Sequence, residues 1–227
     1  VKMRFFCSIC GQELREVRAW LVCTFCGVLE ESEWGCPNGH SQCESCRLAE
    51  PNEIIERVCA HTQENDPVQI ADLLMSHSSF NANGPEHHLL VAPVLLAALW
   101  NIGQPINAEK IKVALRRLAD IPMAVCASRG DCGAAVGVGC ALSLVTGATI
   151  HSGRERSLAL RGTARALERL AELGGPRCCK KSVYASIEEG CRLLREELSL
   201  ELPSHTIQCR FTAKSPECRK ERCVYYF

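Results

Sequence analysis

The spacing of apolar positions divides the chain near Pro51. Before it lie short polar stretches, glycines and paired cysteines. After it the apolar residues recur at helical spacing. Over 52–62, Ile54, Ile55, Val58 and Cys59 fall on one face of a helix. Asp66-Pro67 reads as an N-cap followed by proline at the first helical position, opening a helix to about residue 77. A loop is predicted over 80–85, an apolar helix over 86–102 closed by Gly103, and an amphipathic helix over 107–119 capped by Asn107. Residues 121–130 read as a connection and 131–145 as a glycine- and alanine-rich helix with Asp131 as its N-cap. A long helix over 152–173 stops at Gly174-Gly175, and another runs from Pro176 to about residue 200. From Pro203 the chain shows little periodicity. The fold class that follows is mainly α: a helical domain preceded by a small, β-rich, zinc-binding module. The expected organisation is a metal module over 1–50, a linker with short helices over 51–85, and a cysteine-rich helical domain over 86–227.

Composition changes this picture in one respect, the 17 cysteines. No apolar run resembling a signal peptide occupies the start, the count is odd, and the first seven cysteines sit at metal-ligand spacings. Thiolate ligands in a reducing, cytoplasmic setting are therefore expected, rather than a disulfide framework. Such soft-ligand chemistry leans towards an anaerobe. Lys+Arg and Asp+Glu are each 26, so the net charge is zero, which argues against nucleic acid or an anionic membrane as the main partner. The uncharged run 133–150 is close to a bilayer-spanning length, but Gly133, Gly137, Gly139 and Gly147 with Ser143, Thr146 and Thr149 suit a tightly packed buried helix better.

Cys7-x2-Cys10 and Cys23-x2-Cys26 are knuckles, each followed by glycine, that aim two thiolates at one ion. Cys36, His40, Cys43 and Cys46 supply four more ligands, enough in total for two tetrahedral zinc ions. Pairing in sequence (Cys7, Cys10, Cys23, Cys26, then Cys36, His40, Cys43, Cys46) is favoured over a cross-braced arrangement. Cys36-Pro-Asn-Gly-His40 resembles the Cys–Gly–His stretch of RING-type fingers, but here the Cys–His pair stands third instead of second. His61 and His77 lie outside the spacings and read as surface residues.

The helical part carries Cys126, Cys132, Cys178, Cys179, Cys209, Cys218 and Cys223. Cys132 and Cys178-Cys179 open helices, the latter beside Arg177, Lys180 and Lys181. Helix N-termini and cations lower a thiol pKa, so these sites are expected to hold thiolates that bind a 4Fe-4S-type cluster or act as nucleophiles. Cys132, Cys178, Arg129 and Lys180 are the candidate catalytic residues. Arg129 and Lys180 would neutralise a cluster or bind an anionic substrate. Cys59, Cys140 and Cys191 lie on apolar faces and read as core. His87-His88 opens an apolar helix, where adjacent side chains diverge too far to share one metal, so one of the two is the candidate to face the site.

From residue 80 onward the chain resembles a family of uncharacterised domains in archaea and anaerobic bacteria. The likeness rests on His87-His88, the motif from Arg129-Gly-Asp-Cys to Gly139, Gly175-Pro-Arg-Cys-Cys-Lys-Lys181, and the terminal Cys209, Cys218 and Cys223-Val-Tyr-Tyr-Phe227. That family occurs beside radical SAM or methyltransferase domains, which implies a protein partner of that kind. Cys132-Gly-Ala-x2-Gly also resembles a redox-active helical family. Together the likenesses imply redox, sulfur-handling or cofactor-maturation chemistry in anaerobic metabolism, with a small-molecule substrate as an option. Two other readings stay open: a zinc-only protein that binds a partner or RNA, and a dithiol redox enzyme without a cluster.

Overall fold

In the computed structural model, residues 4–203 and 205–226 are described. The first three residues of the chain start, and Ser204 and Phe227 in the basic tail, lie outside them. A two-stranded antiparallel hairpin, β1 (Arg15–Val22) and β2 (Leu29–Gly35), makes up the N-terminal sheet, with Arg15 opposite Gly35 and Val22 opposite Leu29. A short helix α1 (Glu44–Arg47) leads into the helical part.

There the helices are α2 (Pro51–His61), α3 (Pro67–Ser76), α4 (Val91–Asn101), α5 (Ala108–Leu118), α6 (Val125–Ser128), α7 (Gly133–Thr146), α8 (Arg154–Leu173) and α9 (Cys179–Leu198). The fold is mainly α with a small β module in front, as expected. The local signals act as predicted at several ends. Asp66 Oδ1 accepts from the Val68 amide at 2.8 Å, with Pro67 at the first helical position. Asn107 Oδ1 accepts from the Lys110 amide at 3.0 Å.

Three boundaries differ from expectation. The stretch 86–102 is not one α-helix: Pro85–Leu89 is a 3-10 turn, and α4 starts only at Val91. The α7 N-cap is Cys132 rather than Asp131, and the α9 N-cap is Cys178. Residues 51–85, expected as linker with short helices, supply α2 and α3, whose Ile54, Ile55, Val58, Ile70, Leu74 and Met75 join the same core as α4. The apolar α4 is the centre of that core, buried from Val91 to Leu99.

The small-residue pattern of α7 serves close packing. A Cβ on Gly139 would lie 2.3 Å from Thr163 Oγ1 and 2.6 Å from the Ala159 carbonyl of α8. Among the described residues no helix is long and apolar enough to cross a membrane. Cys59 and Cys140 are core residues, and Cys191 packs against the same core. The tail is tied to α9 through Tyr225, whose hydroxyl donates to Glu188 and whose ring meets Tyr184 edge-on, and within the tail the Cys209 amide donates to the Tyr225 carbonyl at 2.7 Å. Replacing Gly139 by valine is expected to destabilise the protein by about 1–3 kcal/mol, because backbone of α8 blocks the new methyls. Urea unfolding of the two proteins measures it; an unchanged midpoint would contradict this packing.

Candidate metal centres and thiol chambers

The knuckles form as the sequence dictates. Gly11 and Gly27 follow them with φ of +73° and +71°, the left-handed conformation that glycine adopts without strain. Their amides close onto the carbonyls of Cys7 and Cys23, each at 2.8 Å.

The pairing of ligands is a correction. Cys7, Cys10, Cys36 and His40 form one group, and Cys23, Cys26, Cys43 and Cys46 the other, with each group's ligand atoms within 4.8 Å of one another. Sequential pairing is therefore wrong and the module is cross-braced. The hairpin is the reason. An antiparallel pair brings the residues before β1 beside those after β2, so Cys7 and Cys10 meet Cys36 and His40 at its base. Cys23 and Cys26 sit at its tip, roughly 26 Å away along an eight-residue strand. In the first group Cys10 and Cys36 Sγ are 3.4 Å apart, and His40 Nδ1 lies 3.7 Å from Cys7 and 3.6 Å from Cys36. In the second, Cys26 and Cys43 Sγ are 3.6 Å apart. A tetrahedral ion with bonds of about 2.3 Å sets its ligands about 3.8 Å apart, so both groups fit one ion each.

Burial pushes the Cys7 and Cys43 thiols up to about 11. Burial opposes ionisation of Cys10 too, but the Gln12 amide with Cys36 and His40 outweighs it and holds that thiol at about 6. Metal binding must therefore displace protons, most of all from the buried ligands.

The second centre is built into the helical core. Cys46 is fully buried and Cys23 and Cys43 nearly so. His77, expected at the surface, is buried: its Nε2 donates to the Cys46 carbonyl at 2.7 Å, and its Nδ1 accepts from Ser79. Arg57 Nη1 lies 3.9 Å from Cys46 Sγ, and the exposed His61 ring covers Gly27 so closely that no Cβ fits there.

The seven cysteines of the helical part gather around the start of α9 but in two chambers that share Cys178, Pro176 and Lys181 as a wall. One is lined by Cys178, Cys209, Cys218 and Cys223 with Tyr184 and Tyr225. The other, a cavity of about 450 Å³ between α7 and α9, is lined by Cys126, Cys132, Cys178 and Cys179. Among the described residues, none of these cysteines joins a ligand group as tight as the two N-terminal ones. Cys218 nevertheless sits in a ligand-type turn. The Lys220 amide donates to Cys218 Sγ at 3.4 Å, the same spacing and length as the Asn38 amide to Cys36.

The expectation of lowered thiol pKa values is overturned at Cys132 and Cys179, and Cys209 in the tail is raised as well. Burial raises Cys132, and pushes Cys179 and Cys209 up to about 11. It outweighs the amides of Ala135 and Ala134 at Cys132, of Gly84 at Cys179 and of Phe211 at Cys209. Arg129 does not reach the chambers: it is exposed and pairs with Asp131 at 3.0 Å. Lys180 turns inward, where its ammonium donates to the carbonyls of Asn81 (2.6 Å) and Ala82 (3.0 Å) and to His87 Nε2 (3.2 Å). His87 and His88 do diverge. His87 is committed to Lys180 and Gly84, and His88 lies against Gly133 on the cavity wall. The Lys180–His87 contact was missed by sequence reasoning, since residues so far apart carry no local signal.

Burial, then the charge of Lys180, drives the His87 pKa down to about 3. The unfolded chain takes up this proton near pH 6.5 and the folded chain does not, so stability falls as pH drops through that window. Between pH 6.5 and 4 the native protein should lose about 3 kcal/mol more than His87→Gln, read by urea unfolding at each pH. Parallel curves would contradict a neutral buried His87. The two centres should also differ. Cys36→Ser and Cys43→Ser should each lower bound metal from two ions to one, but only Cys43→Ser should cost the helical core about 3 kcal/mol or more. Metal content and helical melting measure this, and equal melting temperatures would contradict it.

A family model, DUF5714, described as a family of unknown function, matches residues 55–226. No curated protein and no solved structure matches the chain.

Proposed function

The chain belongs to that family of unknown function, and we propose that it is a zinc-stabilised carrier of an iron–sulfur cluster of the 4Fe-4S type. Two zinc ions occupy the cross-braced centres. Closed four-ligand thiolate and imidazole sites suit zinc and serve structure. The cluster lies in the chamber of Cys178, Cys209, Cys218 and Cys223, and the observation that carries this is the convergence of these four thiols on one largely apolar chamber. A cluster holds its thiolates on separate irons, so its ligands stand farther apart than those of a single ion. The looser spacing of these cysteines is compatible with that.

The surroundings favour a negatively charged group. Lys181, Arg219 and Arg222 line the chamber, and the buried ammonium of Lys180 stands behind Cys178, Cys179 and Cys209. Tyr184 and Tyr225, both buried on the chamber wall, would shield the sulfurs on their side and tune the potential. The role this supports is redox, sulfur handling or cofactor maturation in a cytoplasmic, anaerobic setting, alongside a radical SAM or methyltransferase partner.

Protein purified and reconstituted without oxygen should hold about four irons and four sulfides in addition to two zincs. Cys209→Ser and Cys218→Ser should lose most of the iron, and Cys126→Ser should keep it. Iron lost from Cys126→Ser and Cys132→Ser but kept by the tail variants would move the cluster to the neighbouring cavity. No iron in any preparation would remove it.

A further inference from the structure

The cavity of about 450 Å³ on the other side of Cys178 holds three thiols that the tail chamber does not use: Cys126, Cys132 and Cys179. Cys178 lines both spaces, and its neighbour Cys179 lines this one alone. Cys126 stands close enough to Cys132, and Cys132 to Cys179, for their charges to interact.

These sulfurs are held as the hairpin ligands are. In the hairpin module backbone amides donate to sulfur: Gln12 to Cys10, and Phe25 and Cys26 to Cys23. Such bonds favour the thiolate that a metal needs. In the cavity the Ala134 and Ala135 amides and the Ser182 hydroxyl donate to Cys132, and the Gly84 amide donates to Cys179. Among the described residues no amide reaches the sulfur of Cys59 or Cys191, which serve packing.

A second observation involves no cysteine. Asp131 lines the same cavity, and its carboxylate is only half used. One oxygen, Oδ2, lies 3.0 Å from Arg129, while Oδ1 is buried and has no hydrogen-bond partner among the described residues. A buried carboxylate oxygen without a donor is matched by a cation.

We propose that this cavity takes up a thiophilic divalent cation of the first transition row through Cys126, Cys132, Cys179 and Asp131. Soft sulfurs select such an ion over Mg²⁺ or Ca²⁺. Three thiolates and a carboxylate around it leave a net negative charge. Arg177 and Lys181 on the same wall offset that charge, as Arg57 does beside Cys46. Among the described residues the four donors do not stand as close together as the hairpin ligands. Cys126 is exposed on the four-residue α6, so the ion draws this turn inward. It therefore exchanges with solution, where the hairpin ions stay fixed. The shared wall places it beside the four-thiol chamber, but the inference does not depend on a cluster being there.

Equilibrium dialysis of Co²⁺ against the zinc-loaded full-length protein, iron-loaded and iron-free, tests it. One equivalent of cobalt beyond the retained zinc should bind at this site with a Kd of about 10 µM or below. The iron-free sample should show the charge-transfer absorption of a cobalt thiolate. Cys126→Ser, an exposed change, and Asp131→Ala should each weaken this binding about tenfold. Cys140→Ser, which removes a thiol outside both chambers, should have no effect. Iron-free protein that binds cobalt in this way upholds the site even if the cluster reading falls. No added cobalt in either preparation, or cobalt bound without the thiolate absorption, overturns it. So does cobalt uptake unchanged by Cys126→Ser and Asp131→Ala, the result that binding in the tail chamber would give.

Discussion

The hydrogen bond from His77 to the Cys46 carbonyl is where the two halves of this protein become one. Cys46 closes the second metal group, and its carbonyl accepts both from the Ala49 amide at 3.2 Å and from His77 Nε2 at 2.7 Å. His77 reaches this carbonyl because α3 ends beside it, and its other nitrogen is fixed by Ser79. Phe25, between the knuckle cysteines, packs edge-on against the same ring. A metal at the second centre therefore does more than fold a hairpin: it sets the position of the chain that leaves α3.

That chain leads directly to the thiols. The Phe80 amide donates to the His77 carbonyl, and the Phe80 ring meets His87 edge-on. Asn81 and Ala82 give their carbonyls to Lys180, and Asn83 takes the first amide of α9. One short segment thus links the second centre to the start of α9, through part-buried hydrogen bonds and one edge-on ring contact. The buried Lys180 shows the same economy. Its ammonium has three protons and three neutral acceptors, and its charge is left to act on the sulfurs around it.

Much of this was legible beforehand. The helices from 51 to 200, their caps at Asp66 and Asn107, the eight N-terminal ligands, and the close packing of α7 all follow from spacing and residue type. The pairing of those ligands was not legible, because it depends on the hairpin between the knuckles, whose alternation is weak in Arg15–Val22 and Leu29–Gly35. His77 was misplaced for a related reason: its partner is a backbone carbonyl 31 residues away, which leaves no mark on the sequence. The thiol pKa values went the wrong way because burial cannot be read from a helix start. The sequence places Cys132 and Cys179 at helix starts, near favourable amides and, for Cys179, cations, but the fold then removes them from water, and desolvation is the larger effect. The division of seven cysteines into two chambers also needed the tail, which is aperiodic and is held to α9 by single contacts such as Tyr225 to Glu188.

The central claim is that one chain separates two kinds of thiolate chemistry, single ions in the hairpin module and a cluster at the start of α9. X-ray absorption at the zinc and iron edges of one anaerobic sample tests it most directly. The account predicts zinc in a sulfur-dominated shell, one site all-sulfur and one with a single nitrogen, and iron surrounded by sulfur with iron neighbours at short range. Iron bound only by nitrogen and oxygen, or iron without iron neighbours, would contradict it.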